Sequence, residues 1–379
     1  LIAWWVLGPR TREMTHRIGA TTMPEFFGKR YNSRALRIAA AAIIFVFLIP
    51  YTASVYNGLS RLFGMAFGLP YEACVIAMAV ITCVYVVVGG YMATVVNDFL
   101  QGIVMLIGIT AVIFAVMNAN GGFMEAMTTL SQVSDGSGFQ GVFTSMFGPD
   151  PANLLGVVIL TSLGTWGLPQ MVQKFYAIKD GPAIKQGAII STLFAIVVSG
   201  GCYFLGGFGR LFSDKLDIAA DGYDAIIPTM LSGLPDILIA VVVVLVLSAS
   251  MSTLSSLVIA SSSTLTIDLL RGNIIKKMDD REAVFIMRCF IVVFVVISMI
   301  IAIVQYKHSI SFIAQLMGVS WGALAGAFLA PFLYGLYWKK TTKVACWVSF
   351  LFGTILMCLN LVSNSTGAFA FPTLLQSPI

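Results

Sequence analysis

Residues 247–256 read Leu-Ser-Ala-Ser-Met-Ser-Thr-Leu-Ser-Ser, a run of hydroxyl side chains inside a segment that is apolar enough to span a bilayer. The preceding residues 235–247 are almost wholly aliphatic, and the chain returns to Leu-Val-Ile-Ala after Ser256. Ser252, Ser255 and Ser256 are spaced i, i+3 and i+4, so a helix places them on one face. Uncharged oxygens clustered at membrane depth suit a small hard cation such as sodium.

The same hydroxyls also have a purely structural interpretation. Serine and threonine in membrane helices often donate to the carbonyl four residues earlier, or let two helices approach closely. The run by itself therefore leaves an ion site and helix packing as alternatives.

The composition indicates an integral membrane protein. Hydrophobic residues make up 58% of the chain and charged residues 10%, which excludes a soluble domain. We expect one transmembrane domain over residues 1–379, with residues 1–8 and 369–379 as parts of two further spans. Because the sequence has no initiator Met or signal peptide, we expect a fragment that is truncated at both ends. Nine complete spans are predicted at 35–63, 71–89, 92–117, 152–173, 184–207, 235–265, 284–304, 309–337 and 343–363.

Basic residues are concentrated in four segments. Residues 10–37, 174–185, 271–288 and 339–343 hold 18 of the 22 lysines and arginines. If all nine spans form, these segments lie on one side of the membrane, and the positive-inside rule predicts that this side is cytoplasmic. We therefore expect a multi-pass protein of the plasma (inner) membrane, with the lipid bilayer as its surroundings. The basic residues orient the protein, and their pattern does not indicate nucleic-acid binding.

The sequence carries no pattern typical of an enzyme. The six cysteines lie in or next to predicted spans without paired spacing, so we expect neither disulfides nor a cysteine metal site. There is no glycine-rich phosphate loop, metal-binding histidine pair or nucleophile elbow. We expect a protein without catalytic residues or a cofactor.

Asp98 is the one acidic residue of the seventeen that lies well inside a predicted span. Desolvation of a carboxylate at membrane depth is expensive, so this residue is a functional candidate. Alternatively, Asn97 and Asp98 cap a helix that begins later than predicted. Asp98 lies about 9 Å and Ser256 about 14 Å from the cytoplasmic ends of their spans, at 1.5 Å per residue. The two side chains are thus expected at similar depth.

Residues 161–175 predict a broken helix. Gly164, Gly167 and Pro169 weaken it, because proline removes a backbone hydrogen bond and glycine costs about 1 kcal/mol relative to alanine. Discontinuous helices at membrane depth form transporter binding sites. A proline kink that merely packs against its neighbours is the alternative. The side chains at this break that we expect to contact a solute are Thr161, Thr165, Trp166 and Gln170.

Four segments, in this order along the chain, resemble the sodium:solute symporter family. They are Gly89-Gly-Tyr-Met-Ala-Thr-Val-Val-Asn-Asp98, then Gly167-Leu-Pro-Gln170, Met251-Ser-Thr253 and Ala330-Pro-Phe-Leu-Tyr-Gly-Leu-Tyr-Trp-Lys339. Within the family, the chain is most similar to the sodium/pantothenate branch, on Gly68-Leu-Pro-Tyr-Glu72 and on Asn-Asp in place of the usual Thr-Asp. The proline-transporting branch is similar next, but it carries Trp and Tyr where this chain has Thr161 and Thr165.

The resemblance implies a fold and two ion sites. The fold is an all-α polytopic helix bundle with the five-plus-five inverted repeat of the LeuT type, whose first core helix precedes residue 1. The family's main sodium site corresponds to the Ala249 carbonyl and the hydroxyls of Ser252 and Thr253. A second sodium, present in some members, corresponds to the residues Asp98, Ser252, Ser255 and Ser256.

The predicted function is sodium-coupled import of a small organic solute by alternating access, with a pantothenate-like carboxylate favoured. The expected partners are sodium and that solute. Three alternatives remain open at this point. The first is a symporter for proline or another amino acid, and the second is a proton-coupled transporter that uses Asp98 as the proton carrier. The third, from a different class, is a membrane sensor or channel that uses the cation site without moving solute.

Overall fold

The computed structural model describes residues 2–134, 140–178, 180–215, 222–271, 274–275, 277–308 and 313–366, and within these it contains helices and no strand. Thirteen α-helices follow one another in this part of the chain. They are α1 (Ile2–Ile18), α2 (Met23–Arg30), α3 (Arg34–Phe67), α4 (Tyr71–Ala119), α5 (Phe123–Gln132), α6 (Pro151–Ser162), α7 (Pro169–Ala177), α8 (Gly181–Gly207), α9 (Ile226–Ser232), α10 (Asp236–Ser263), α11 (Asp280–His308), α12 (Ile313–Tyr337) and α13 (Lys343–Thr366).

The predicted spans are recovered as helices. In the described residues, eight helices are long and apolar enough to cross a membrane, and α6 with α7 makes a ninth if this bent pair counts as one span. The predicted partial span at residues 1–8 forms the start of α1, which continues to Ile18. The predicted start of a span at 369–379 lies outside the described residues.

Helix α4 contains two of these spans, Tyr71–Gly90 and Ala93–Ala119. The break between them is at Gly90, whose φ of 62° and ψ of −170° are conformations that glycine adopts without steric cost. The break therefore lies between the predicted spans 71–89 and 92–117. We call the two halves α4a and α4b.

Side-chain contacts define the two ends of the bundle. Arg30 donates from Nε to the Gly335 carbonyl at 2.8 Å and from Nη2 to the Trp338 carbonyl at 3.0 Å. These bonds satisfy carbonyls at the end of α12 that have no partner within that helix. We call this end, where α3 begins and α10 and α12 end, the basic end. At the far end, Tyr71 stacks on Tyr306 with ring centroids 3.8 Å apart.

A second carboxylate, Asp268, lies two residues before the end of its membrane span, Asp236–Leu270. The predicted span 235–265 ends too early, because α10 continues as one π-helical segment, Thr264–Leu270. Asp268 lies in this extension and is fully buried. Its Oδ1 atom accepts a hydrogen bond from Arg37 Nε at 2.7 Å, and Arg37 Nη2 donates to the Ile267 carbonyl at 3.2 Å. This ion pair ties the start of α3 to the end of α10.

A substitution at Asp268 tests the contribution of this pair. Asp268→Asn keeps the volume but removes the charge that compensates Arg37, so we expect it to cost about 3–5 kcal/mol of stability. The control is Asp280→Asn. It breaks an Arg271–Asp280 pair of the same 2.7 Å length whose carboxylate is 83% exposed, and such exposed pairs contribute about 0–1 kcal/mol. Thermal unfolding of the intact protein in detergent measures the stability of both variants. Equal losses of stability would contradict a larger contribution from the buried Arg37–Asp268 pair.

Candidate functional site

In the second half of α10, one stripe of residues is less buried than most of its neighbours. Ala249, Ser252, Thr253 and Ser256 are each half-buried, whereas Ser255 between them is only 1% exposed. The three main-site residues predicted from the sequence therefore lie together on an accessible face. Ser255, which the spacing placed with Ser252 and Ser256, points into the packed core instead.

The hydroxyls of this stripe donate within their own helix. Thr253 Oγ1 donates to the Ala249 carbonyl at 2.9 Å, and both Ser255 and Ser256 donate to the Ser252 carbonyl at 3.0 Å. A hydroxyl that donates its proton in a hydrogen bond keeps lone pairs on its oxygen, and these can coordinate a cation. Ligand oxygens of a hard cation such as Ca²⁺ lie about 2.3–2.6 Å from the ion. Two oxygens 2.9 Å apart, such as those of Ala249 and Thr253, can therefore contact the same cation.

A cavity of about 220 Å³ lies beside the basic-end half of this stripe. We call it the Asp98 cavity. It brings together Asp98 of α4b and Ser256 of α10, the two side chains that the sequence predicts at similar depth. Its lining residues are Thr94, Val95, Asp98, Gln170, Gln173, Lys174, Ser256 and Ile259.

Asp98 does not cap a helix. The span that carries it begins at Ala93, so the side chain lies in the second turn, where backbone amides are already paired. Its carboxylate interacts with the Ser252 hydroxyl and with the charge of Lys174. Its Oδ1 atom is nevertheless buried and has no hydrogen-bond partner among the described residues. The cap alternative is therefore excluded, and one carboxylate oxygen remains available.

The Asp98 cavity is adjacent to a wider cavity at the basic end. This second cavity has a volume of about 620 Å³ and is lined by residues of α1 and α7, including Arg12, His16 and Tyr176. Gln173 lines both cavities. The Asp98 carboxylate thus faces the part of the bundle that is open toward the basic end.

A third cavity, of about 530 Å³, lies beside the far-end half of the α10 stripe. We call it the Arg61 cavity. Residues of α3, α10, α12 and the segment before α9 line it, among them Tyr51, Ser54, Arg61, Asp224, Ala249 and Thr253. Nothing in the local sequence around Arg61 or Asp224 indicates this cavity. Arg61 lies inside α3, and its guanidinium stands over the Tyr306 ring, 5.2 Å from the centroid.

Asp224 lines the Arg61 cavity next to Arg61. Its side chain is 7% exposed and lies 3.6 Å from Arg61 Nη2. The Ile313 N–H, at the start of α12, donates to both of its carboxylate oxygens, at 3.1 and 3.2 Å. Burial raises the pKa of Asp224, although the Ile313 N–H and Arg61 oppose the shift. One carboxylate therefore joins the segment before α9 to α3 and to α12.

The broken helix forms where the sequence predicts it. Helix α6 ends at Ser162, residues Gly164–Gly167 form a 3-10 turn, and α7 departs at 47°. A Cβ atom on Gly167 would lie 2.9 Å from the Ala325 Cα atom and 3.1 Å from the Leu329 backbone nitrogen. The break is therefore pressed directly against the backbone of α12.

The four residues expected to contact a solute are not gathered at one place. Thr161 Oγ1 donates to the Val157 carbonyl at 2.8 Å and Thr165 Oγ1 to the Ser162 carbonyl at 3.1 Å. Neither threonine lines the Asp98 or the Arg61 cavity, and Trp166 packs against the main hydrophobic core. Only Gln170 faces the Asp98 cavity, and its Oε1 atom is buried without a hydrogen-bond partner among the described residues.

Comparison with known proteins shows which family the chain matches. A sequence model described as the sodium:solute symporter family matches residues 1–353. A protein named sodium/proline symporter from Staphylococcus aureus is 31% identical over 360 residues, which cover 90% of this chain and 66% of that relative. Proteins of the same name from the strains JH9 and Newman match to the same extent. The chain thus spans just under two thirds of the length of these relatives, and their names indicate transporters and not enzymes.

Substitution of Gly167 tests the tight contact at the break. In Gly167→Ala the new methyl group must displace backbone atoms of α12, and overpacking of this kind costs about 1–3 kcal/mol. Gly206→Ala in α8 is the control, since a Cβ atom there meets no atom within 4 Å. We expect a lower melting temperature for the first variant in detergent and an unchanged or higher one for the second. Equal melting temperatures would mean that α6 and α7 are not held against α12 as described.

Proposed function

Because the chain belongs to the sodium:solute symporter family, as its motifs predict, we propose that it forms part of a sodium-coupled symporter that imports a small organic solute by alternating access. The observation that supports this best is the stripe of α10 between two cavities. Thr253 lines the Arg61 cavity near the far end, and Ser256 lines the Asp98 cavity near the basic end. A cation bound between them is within reach of both.

The main sodium site is proposed at the Ala249 carbonyl and the hydroxyls of Ser252 and Thr253. All three residues are half-buried, Ala249 and Thr253 line the Arg61 cavity, and no charged residue lies at that point of the helix. Inward movement of one sodium ion down a potential of 100 mV releases about 2.3 kcal/mol, before any concentration gradient is counted. This is the free energy available for moving the solute.

A second sodium is proposed at Asp98, with Ser252 and Ser256 as neighbours. A carboxylate oxygen without a hydrogen-bond partner at membrane depth is costly unless a cation compensates it. Ser255 belonged to this set in the sequence-based prediction, but its side chain is 1% exposed and faces away from the cavity. We therefore propose the second site without the Ser255 hydroxyl.

The membrane arrangement is part of the same proposal. We place the basic end in the cytoplasm of a plasma (inner) membrane, following the positive-inside rule. The core helices are proposed to form the five-plus-five inverted repeat of the LeuT type. In this arrangement the Arg61 cavity faces outward and the Asp98 cavity faces inward.

For the solute, we propose a small zwitterion such as proline in place of the pantothenate-like carboxylate favoured by the sequence motifs. The relatives that match the chain are named sodium/proline symporters. The Arg61 cavity also carries one cationic and one anionic side chain, Arg61 and Asp224, which already lie 3.6 Å apart. This balance of charge matches a zwitterion better than a monoanion, because an anion alone would leave Asp224 unfavourably close.

Uptake into proteoliposomes tests the function. The intact protein that contains this chain should accumulate labelled proline when a sodium gradient is imposed, and excess unlabelled proline should compete better than pantothenate. If pantothenate competes better than proline, the solute is instead a pantothenate-like carboxylate, as the sequence motifs favoured. Uptake driven by a pH gradient without sodium would favour proton coupling through Asp98. Sodium binding without uptake of any solute in a broad panel would favour the sensor or channel.

Single substitutions test the main sodium site. Ser252→Ala and Thr253→Ala each remove one ligand oxygen, and we expect the sodium concentration for half-maximal uptake to rise at least about tenfold, or 1.4 kcal/mol. Ser262→Ala is the control, because this serine lies on the same helix but is fully buried and lines neither cavity. If the sodium dependence is unchanged in both Ser252→Ala and Thr253→Ala, at normal expression, these hydroxyls of α10 do not bind sodium.

A further inference from the structure

Two opposite charges line the Asp98 cavity, and the proposed function uses only one of them. Asp98 projects from α4b, and Lys174 projects from α7 on the other side. Lys174 follows Gln170 by four residues, so one face of α7 presents both side chains to the cavity. The side chain of Lys174 is exposed, and its charge acts on the Asp98 carboxylate across the cavity.

The position of Lys174 gives its ammonium group freedom to approach or to leave the carboxylate. A lysine has a flexible four-carbon stem and keeps its charged group in water while the stem lies along apolar surface. Here the water lies toward the wider cavity at the basic end, which Gln173, the neighbour of Lys174, also lines. Arg12 and His16, which line that wider cavity, do not line the Asp98 cavity.

We propose that the Lys174 ammonium competes with sodium for Asp98. When sodium is bound, the ammonium group lies toward the basic end. When sodium leaves, the ammonium group moves in and compensates the carboxylate. This inference rests on the proposed function, because it assigns a competitor to the second sodium site. It goes further by naming a residue of α7 that sets the sodium affinity at Asp98 and favours release toward the basic end.

The competition follows from electrostatics in a confined space. Within the part of the chain that the structure describes, a carboxylate oxygen in this cavity lacks a hydrogen-bond partner, so a cation nearby is strongly favoured. Two cations at one carboxylate would repel each other, and the cavity volume of about 220 Å³ keeps them close. Binding of sodium must therefore push the ammonium group away, and the cost of this displacement lowers the apparent affinity for sodium.

Equilibrium binding of ²²Na⁺ to the purified intact protein tests the proposal without relying on transport. Lys174→Gln removes the competitor, so we expect the concentration for half-saturation to fall about fivefold or more, the lower range of typical coupling between sites. Lys174→Arg keeps a tethered cation and should retain weak binding like that of the wild type. Lys185→Gln is the matched control, an exposed lysine on α8 that lines neither the Asp98 nor the Arg61 cavity.

A second background shows whether Lys174 acts through Asp98. The Asp98→Asn variant lacks the carboxylate for which sodium and the Lys174 ammonium compete. Adding Lys174→Gln to it should therefore leave the remaining sodium binding unchanged. An equal affinity gain in that background would overturn the proposal, and so would unchanged or weaker binding in Lys174→Gln alone. Misfolding lowers the number of sites per molecule and not the half-saturation concentration, and Lys174→Ala repeats the test if the glutamine variant is unstable. A wild-type protein that binds no sodium would instead refute the proposed function.

Discussion

The cost of an uncompensated charge in an apolar bundle constrains the structure at both ends and in the middle. A carboxylate that is shielded from water must find a cation or hydrogen-bond donors, and three buried or half-buried aspartates of this chain meet the requirement in different ways. Asp268 has Arg37 at 2.7 Å, and Asp224 has the Ile313 N–H and Arg61. Asp98 retains an unpaired oxygen and faces a cavity. The difference separates carboxylates that join helices from the one that is open to a mobile cation.

The two paired aspartates also show how the helices are held around the cavities. Asp268 ties α10 to the start of α3, while Asp224 ties the segment before α9 to α3 and to the start of α12. Helix α3 therefore takes part in both contacts, through Arg37 and Arg61, which lie 24 residues or about 36 Å apart along its axis. Between them lies the α10 stripe, which has neither ion pairs nor charges of its own. Rearrangement at either end could thus change access to the stripe without disturbing its hydroxyls.

The sequence predicted the helices well because bilayer thickness sets both their length and their composition. It also predicted the break at Gly90, the break near Gly167, and the shared depth of Asp98 and Ser256, since these follow from glycine conformation and from counting residues along a helix. The sequence did not predict in which direction the side chains near the broken helix project. Thr161, on the last turn of α6, and Thr165, in the 3-10 turn, line neither the Asp98 cavity nor the Arg61 cavity. The pairing of Asp268 with Arg37 was not predicted, because the two residues lie 231 positions apart in the sequence.

Long-range partners explain the remaining errors. Arg61 and Asp224 are separated by 163 residues, and nothing in their local sequence indicates that they line one cavity with Ala249 and Thr253. By contrast, the two interpretations of the α10 hydroxyls turned out to be compatible. Thr253 and Ser256 donate to carbonyls of their own helix, as the packing alternative expects, and each of these residues also lines a cavity. A hydroxyl whose proton is fixed inside its helix presents an oxygen in a defined direction. Backbone-bonded hydroxyls are therefore better prepared to receive a cation than freely rotating ones, and the helix packing that seemed to argue against an ion site would contribute to it.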